Sequence, residues 1–364
     1  MITGLTRRTL LAGIVKLPTR PAVAFHYAAQ FSAREVAWYS SFEILVTGGI
    51  LTPEQSAILR GRGSRLVAYE WSSAYYPGDW VSAAESWQKR MRADWLLTRV
   101  PVTGGAAENG KPAQWYDFAN PDLIAARADY LAAVLLRAGY DGFFFDTLGW
   151  EQLPPPVQAS FGARHPGVDY NACQAAFLGA LRKRLPAGRL IFTNQGFRHS
   201  EFFLPHADLD LTESYFTYVV GAATKFRPWH DPTKPWDSIR TPMVELVGAA
   251  ERKFPNVRFV HVNYAHGTSP RAAMYSYAAA KLFGHDSYLI VPSNSPAEEH
   301  AVYRSSLGRP LTASFEEDVA AGAAWRRFER GTVAILSGPK TFAIPGTGLV
   351  LTTPEMGYLF PSRR

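Results

Sequence analysis

The chain has 364 residues, of which 47% are hydrophobic and 19% charged, a balance that excludes a disordered polymer and can bury a large core. Its single cysteine excludes a disulfide framework and a cysteine-based zinc site. The net charge of +7 comes from short, scattered basic clusters without a zinc-finger or RNA-recognition signature, so we expect no nucleic-acid partner.

The first 21 residues have the features of a leader. Residues 6–11 (TRRTLL) resemble a twin-arginine export signal, and residues 22–24 (AVA) resemble a cleavage site. Lys16 interrupts the apolar region, and cleavage after Ala24 would cut into a predicted strand. The pattern weakly favours export to the periplasm or the medium over a cytoplasmic location. No other stretch approaches the ~20 apolar residues of a membrane span.

Residues 22–310 alternate between apolar runs and helical patterns. The predicted strands cover about 22–27, 43–47, 65–71, 142–146, 188–196, 209–215, 257–264 and 287–292. The predicted helices cover about 33–39, 52–61, 82–93, 121–138, 170–185, 236–253 and 270–283. Eight such units predict an α/β fold, a (β/α)8 TIM barrel, whose chemistry lies at the carboxyl ends of the strands.

Two segments interrupt or extend this repeat. Residues 72–119 are irregular and rich in aromatic side chains, which favours a binding loop, and a Pro-rich excursion follows at residues 154–156. Residues 311–364 contain short strands separated by turn residues. We therefore expect three parts: a leader or disordered N-terminus (1–21), a catalytic barrel (22–310) and a small antiparallel β extension packed on the barrel (311–364).

Three predicted strands end in carboxylates, at Glu70, Asp146 and Glu213. A single aspartate there can simply cap the next loop, but two carboxylates facing each other across a barrel mouth are the machinery of a glycosidase. Side chains alternate in direction along a strand, so Asp146 and Glu213 can both point inward. Their strands are separated by one neighbour, about 10 Å between axes, which permits either a retaining or an inverting pair.

Other polar and aromatic side chains at or near the strand ends are candidate sugar contacts. We expect Glu70 to bind a hydroxyl group or to tune the carboxylate pair by like-charge repulsion. Each of the others can alternatively stabilise a loop or pack in the core. The complete set of predicted substrate-binding residues is Tyr27, Tyr69, Glu70, Trp115, Asn194, Gln195, Tyr215, Asn263 and Tyr264.

Several short motifs together resemble a known family. They are residues 67–70 (VAYE), 139–146 (GYDGFFFD), 192–196 (FTNQG) and 213–215 (ESY), with 307–310 (LGRP) and 325–331 (WRRFERG) in the tail. This set resembles the barrel hydrolases related to endo-α-1,4-polygalactosaminidases, in particular the glycosyl-hydrolase-like branch of bacterial exopolysaccharide systems. The resemblance implies that Asp146 is the nucleophile or charge stabiliser and that Glu213 is the general acid/base. The aromatic insertion and the Pro-rich stretch depart from the pattern and leave the sugar open.

The sequence therefore predicts a monomeric glycoside hydrolase that cleaves a polysaccharide without cofactor or metal. The histidines are dispersed, and no His-Glu-x-x-His motif or Gly-x-Ser-x-Gly elbow accompanies them. The alternative from a different class is a degenerate barrel that binds polysaccharide without cutting it. Sugar, linkage, stereochemistry and endo or exo action stay open.

Overall fold

Eight parallel strands form one sheet whose order follows the chain. The computed structural model describes residues 22–27, 30–49, 51–75, 85–100, 113–290, 300–337, 341–352 and 356–361. The last strand contacts the first, which closes the barrel and confirms the predicted fold. The strands are β1 Val23–His26, β2 Ile44–Thr47, β3 Arg65–Trp71, β4 Gly142–Asp146, β5 Leu190–Asn194, β6 Leu209–Glu213, β7 Arg258–Tyr264 and β8 Asp286–Ile290.

Helices connect the strands on the outside, with end signals that are visible in the sequence. Ser32 and Thr52 each form a capping box, and Pro53 occupies the first turn, where its missing N–H costs nothing. Gly139 ends the longest helix with φ 74°. The helices longer than four residues are α1 Ala33–Tyr39, α2 Pro53–Gly61, α3 Pro121–Ala138, α4 Pro155–Arg164, α5 Tyr170–Arg184, α6 Gly248–Lys253 and α7 Pro270–Phe283.

Two helical predictions were wrong in detail. The Pro-rich excursion is the start of α4, because proline fixes a helical φ in a first turn. The predicted helix at 236–253 starts later than expected. Pro235–Asp237 is a separate short helical turn that ends at the extended Ser238, and Arg240–Pro242, a π-helical Met243–Val247 and α6 then follow one another without a gap. The predicted helix near 82–93 lies within the described residues only from Glu85 onwards. In that part a four-residue helix runs over Glu85–Gln88.

Aromatic rings fill the barrel interior below the mouth. Phe144 lies 5.0 Å from Phe192, 5.6 Å from Tyr69 and 5.7 Å from Phe25, measured between ring centroids. Tyr288 of β8 completes the layer at 6.3 Å from Phe25. Burying such rings contributes roughly 2–3 kcal/mol each. The polar residues at the strand ends lie directly above this aromatic layer.

The chain beyond the barrel forms the expected small antiparallel sheet. Its strands are β9 Glu316–Asp318, β10 Ala323–Phe328, β11 Gly331–Leu336 and β12 Met356–Pro361. The sheet packs on α7, where a Cβ atom on Gly357 would lie 2.3 Å from the carbonyl oxygen of Met274, so only glycine fits. The shorter strand pairings involve Ala74–Tyr75, Leu96–Val100, Ala113–Tyr116, Thr217–Val220, Ala223–Phe226, Phe342–Ala343 and Val350–Leu351.

The predicted leader, residues 1–21, lies outside the described residues, and so does most of the predicted binding loop before Ala113. Within the part of the chain that the structure describes, no helix combines the length and apolarity needed to cross a membrane.

Candidate active site

Three neighbouring strands end in polar side chains that meet at the barrel mouth: Asp146 on β4, Asn194 on β5 and Glu213 on β6. The residue that follows each of them has a positive φ although none is glycine: Thr147 at 57°, Gln195 at 57° and Ser214 at 62°. Such left-handed residues cost of order 1–3 kcal/mol and cluster at functional sites. Because this conformation recurs at three adjacent strand ends, this part of the barrel mouth is the candidate site.

The turn after Asp146 is fixed by a hydrogen-bond network. The Thr147 amide donates to Asp146 Oδ1 at 2.7 Å, and the Ser72 and Ser73 hydroxyls donate to the Thr147 carbonyl oxygen. Fully buried Gln174 donates to both serine oxygens, at 2.7 and 2.8 Å. The network holds a β-branched residue in a conformation that it rarely adopts, and so fixes the direction of the Asp146 carboxylate.

A single amide nitrogen bridges the two carboxylates. Asn194 Nδ2 donates to Asp146 Oδ1 at 2.7 Å and to Glu213 Oε2 at 2.9 Å. These two oxygens are therefore no more than about 5.6 Å apart, the sum of the two bonds. Both carboxylates are half-buried, so a ligand can still reach them.

Three tyrosines surround the carboxylate pair. Tyr69 donates its hydroxyl to Asp146 Oδ2, and Tyr264 donates to Glu213 Oε1 at 2.6 Å. Tyr27 is 38% exposed as a whole residue, and its ring lies 5.4 Å from that of Tyr69. Burial of the phenol groups first, and then the nearby carboxylates, raise the pKa of all three tyrosines, so they stay protonated donors at neutral pH.

The two carboxylates have different environments. Burial raises the pKa of Glu213, and the charge of Asp146 raises it further, while the hydrogen bonds from Tyr264 and Asn194 act in the opposite direction. Asp146 accepts from Tyr69, Asn194 and the Thr147 amide, three donors that fix the direction of its carboxylate.

A cleft of about 420 Å³ opens beside Glu213. Gln195 and Tyr215, both predicted substrate contacts, form part of its wall. Sequence reasoning missed three other members, Arg198, Arg227 and the 57% exposed Trp236, because no recognisable motif includes them. The full lining is Gln195, Arg198, Glu213, Tyr215, Arg227, Trp236, Asp237, Ser238, Pro242 and Leu246.

Glu70 lies outside the mouth, contrary to its predicted substrate contact. It is fully buried between β3 and α3, where Arg127 forms an ion pair with it and also donates to the Trp71 carbonyl oxygen at 3.1 Å. Its neighbour Tyr69 is the residue that points inward, because adjacent strand side chains face opposite ways. Glu70 is an internal ion-pair residue with no surface to offer a sugar.

Asn263 and Trp115 are also buried away from the mouth. Asn263 Oδ1 accepts from the backbone amides of Phe216 and Thr217, at 2.9 and 3.1 Å, and so fixes the chain after β6. Trp115 lies in a short antiparallel pairing opposite Ala74 and is 1% exposed. Both side chains serve the frame around the site.

Asp210 is a supporting residue that sequence reasoning missed. It faces away from the barrel axis on β6 and accepts from Thr193 Oγ1 at 2.6 Å and from the amides of Gly196 and Phe197 at 2.8 and 2.9 Å. Burial raises the pKa of Asp210 to about 7. The contacts tie the turn after Asn194 to the neighbouring strand. A signal existed in the alternation along β6, because a charged residue between Leu209 and Leu211 must point to the opposite face from these two leucines.

In the described residues, no group of three or more histidine, cysteine, aspartate or glutamate side chains is arranged to hold a metal ion. The groups that meet at the mouth are two carboxylates, one amide and three phenols, all of which can form hydrogen bonds.

The barrel is shared with solved glycoside hydrolases. No protein-family model and no curated protein matches the sequence. Among solved structures, the chain is similar to the glycoside hydrolase domain of PelA from Pseudomonas aeruginosa, with 23% identity, a TM-score of 0.53, and coverage of 75% of this chain and 95% of that domain.

More distant structures have the same architecture. An α-amylase from Geobacillus thermoleovorans, solved with acarbose, is 9% identical with a TM-score of 0.52, and covers 95% of this chain and 99% of its own. A cyclic α-maltosyl-(1→6)-maltose hydrolase from Arthrobacter globiformis is 12% identical with a TM-score of 0.50, and covers 94% and 98%. At such identities the likeness establishes the fold, a TIM barrel of the kind that glycoside hydrolases use.

Proposed function

We propose that this protein is a glycoside hydrolase that cleaves a glycosidic bond in a polysaccharide with Asp146 and Glu213, and that it retains the anomeric configuration. The observation that carries the proposal is the Asn194 bridge, which limits the separation of Asp146 Oδ1 from Glu213 Oε2 to about 5.6 Å. Retaining pairs are about 5–5.5 Å apart, and inverting pairs about 6.5–9.5 Å because a water molecule must fit between carboxylate and sugar.

The environments of the two groups support their roles. Glu213 has the raised pKa of a general acid, and the Tyr264 hydroxyl can donate to its carboxylate or accept from its protonated form. Asp146 is aligned by three donors and is the nucleophile.

The reaction then has two steps. The Asp146 carboxylate attacks the anomeric carbon while Glu213 gives its proton to the departing glycosidic oxygen, leaving a glycosyl ester on Asp146. Water next donates a proton to the Glu213 carboxylate and attacks the same carbon, which releases the sugar and regenerates both groups. Two inversions give net retention.

The test is release of reducing ends from a panel of bacterial exopolysaccharides, with and without EDTA. We expect EDTA-insensitive hydrolysis by the wild type and none by Glu213→Gln, which still binds the polymer. Activity that requires an EDTA-sensitive ion would contradict the mechanism. If the wild type binds without cutting anything, the non-catalytic binding barrel is the better description.

A further inference from the structure

Two arginines lie in the wall of the cleft next to the catalytic glutamate. Arg198 donates from Nε to Gln195 Oε1 at 2.7 Å and from Nη2 to the Tyr215 hydroxyl at 3.1 Å. Arg227 donates from Nε to the Ser214 carbonyl oxygen at 3.1 Å. Both guanidinium groups are therefore oriented largely by neutral oxygens.

Two exposed carboxylates lie near these arginines: Asp237 beside Arg227, and Glu151, which pairs with His199 and also interacts with Arg198. Asp237 Oδ1 is 3.8 Å from Arg227 Nη1, and its side chain is 68% exposed, so solvent weakens this pair. Among the described residues no carboxylate lies within 4 Å of the Arg198 guanidinium. Both arginines line the same cleft, and the positive charges of both oppose the rise in the Tyr215 pKa that burial causes.

The arginines have no evident part in tuning the catalytic acid. Besides burial, Asp146, Tyr264 and Asn194 are the groups that shift the Glu213 pKa, and neither guanidinium contacts its carboxylate. Arg198 Nη1 and Arg227 Nη2 have no hydrogen-bond partner in the described part of the chain. Guanidinium groups with spare nitrogens in a cleft match the geometry of a carboxylate.

The same cleft contains a platform for a sugar ring. Trp236 is 57% exposed, although an indole of this size is ordinarily well buried in a folded protein. An aromatic face beside two arginines offers stacking for the apolar face of a sugar and ion pairing for a charged substituent.

We propose that this subsite, formed by Arg198, Arg227, Tyr215 and Trp236, takes an acidic sugar residue whose carboxylate pairs with the two arginines. The proposal deepens the hydrolase function and rests on it for the place of the subsite beside Glu213. It also excludes an unacetylated amino sugar from this position, because an ammonium group would face two guanidinium groups at close range.

Binding to matched polymers tests the proposal, using Glu213→Gln so that nothing is cut. The probes are α-1,4-polygalacturonate and gellan, which contains glucuronic acid, each compared with its carboxyl-reduced form. We expect the acidic forms to bind at least about tenfold more tightly than the reduced forms, and we expect unacetylated α-1,4-polygalactosamine to bind no better than the neutral polymers.

Added arginine substitutions separate the subsite from general surface charge. In the same background, Arg198→Gln and Arg227→Gln should each remove most of the preference for the acidic form, whereas Arg330→Gln, at an exposed position on the far sheet, should leave it unchanged. Arg198→Lys keeps the charge but loses the paired donors, and we expect an intermediate result. Unfolding transitions of all variants confirm that each is folded.

A second pair of probes identifies the anion. Chondroitin sulfate and its desulfated form differ in the sulfate ester but share the uronic acid, so equal binding supports recognition of the carboxylate. Equal binding of acidic and reduced polymers, no binding of any acidic polymer, or equal effects of Arg198→Gln and Arg330→Gln would each overturn the proposal. Binding of acidic polymers without any cleavage would overturn the hydrolase function and leave the subsite intact.

Discussion

Glu70 and Glu213 are two glutamates at the carboxyl ends of barrel strands, and they have opposite surroundings. Glu70 is fully buried outside the barrel, paired with the equally buried Arg127. Glu213 faces the mouth, where no cation among the described residues pairs with it, and burial and the charge of Asp146 both raise its pKa. The first environment neutralises a charge permanently, and the second leaves a proton available for transfer.

A shift of one residue along the strand decides between these environments, because successive side chains of a strand point to opposite faces. On β3 the side chain that points inward is Tyr69, and the next residue, Glu70, faces the helices. On β6 the inward position is occupied by Glu213 itself. A carboxylate at a strand end is thus a candidate for catalysis only when its neighbours two residues back also face the barrel interior.

The largest expected effect is on turnover. Asp146→Asn and Glu213→Gln should each lower kcat by about 10³-fold or more, because each removes a group that acts on the reacting bond. Glu70→Gln should retain wild-type kcat in whatever fraction of the protein is folded. The measurement is reducing-end release per folded molecule, and a loss of kcat on Glu70→Gln equal to that of Glu213→Gln would remove the distinction.

The second effect is on stability and has the opposite pattern. Glu70→Gln leaves the Arg127 charge buried without its carboxylate, so we expect the free energy of unfolding to fall by about 3–5 kcal/mol. Glu213→Gln removes the electrostatic repulsion from Asp146 and should leave the stability unchanged or slightly higher. Urea denaturation measures both. In Glu70→Met with Arg127→Met most of the lost stability should return, as no charge is left to bury.

A third effect sharpens the role of Glu213. Tyr264→Phe removes a hydrogen bond that lowers the Glu213 pKa, so this pKa should rise. The acid step needs protonated Glu213, and the alkaline limb of the kcat/KM profile should therefore move to higher pH. Conversely, Asp146→Asn removes a charge that raises this pKa and should lower it in a direct titration.

Tyr140→Phe is the matched control, because Tyr140 is buried just before β4, at the other end of the barrel from Asp146. The alkaline limb of the kcat/KM profile of Tyr140→Phe should coincide with that of the wild type. A shift to lower pH in Tyr264→Phe would contradict the assignment of Glu213 as the acid.

The smallest effect concerns the left-handed turns at the site. Gln195→Gly relieves a φ of 57° that glycine adopts freely, so the free energy of unfolding should rise or change by less than about 1 kcal/mol. Gln158→Gly, within α4, should lower it by about 1 kcal/mol. Thermal unfolding of both variants measures the two changes in stability. Equal losses of stability in Gln195→Gly and Gln158→Gly would show that the turn at Gln195 stores no strain.

Much of the frame could be predicted from the sequence. The buried run that ends at Asp146, the capped helix starts and the glycine at the end of α3 define the barrel, because periodicity and end signals are local. The pairing of Asp146 with Glu213 was within reach for the same reason, as strand alternation places both inward.

The remainder depends on contacts between distant segments. Whether Glu70 meets Arg127, whether Asn263 faces a loop amide and which loop carries Arg198 into the cleft depend on packing that no local pattern contains. Trp115 was a candidate stacking platform for a sugar but is buried in the core, whereas Trp236 is exposed in the cleft. Residue type alone could not separate these two tryptophans.

The most direct measurement is the anomeric configuration of the first product, followed by proton NMR during the first minutes of hydrolysis, before mutarotation. A pair held within about 5.6 Å by Asn194 should release a product with the same configuration as the bond that was cut. Appearance of the opposite anomer first would contradict a covalent intermediate on Asp146 and the role assigned here to this pair.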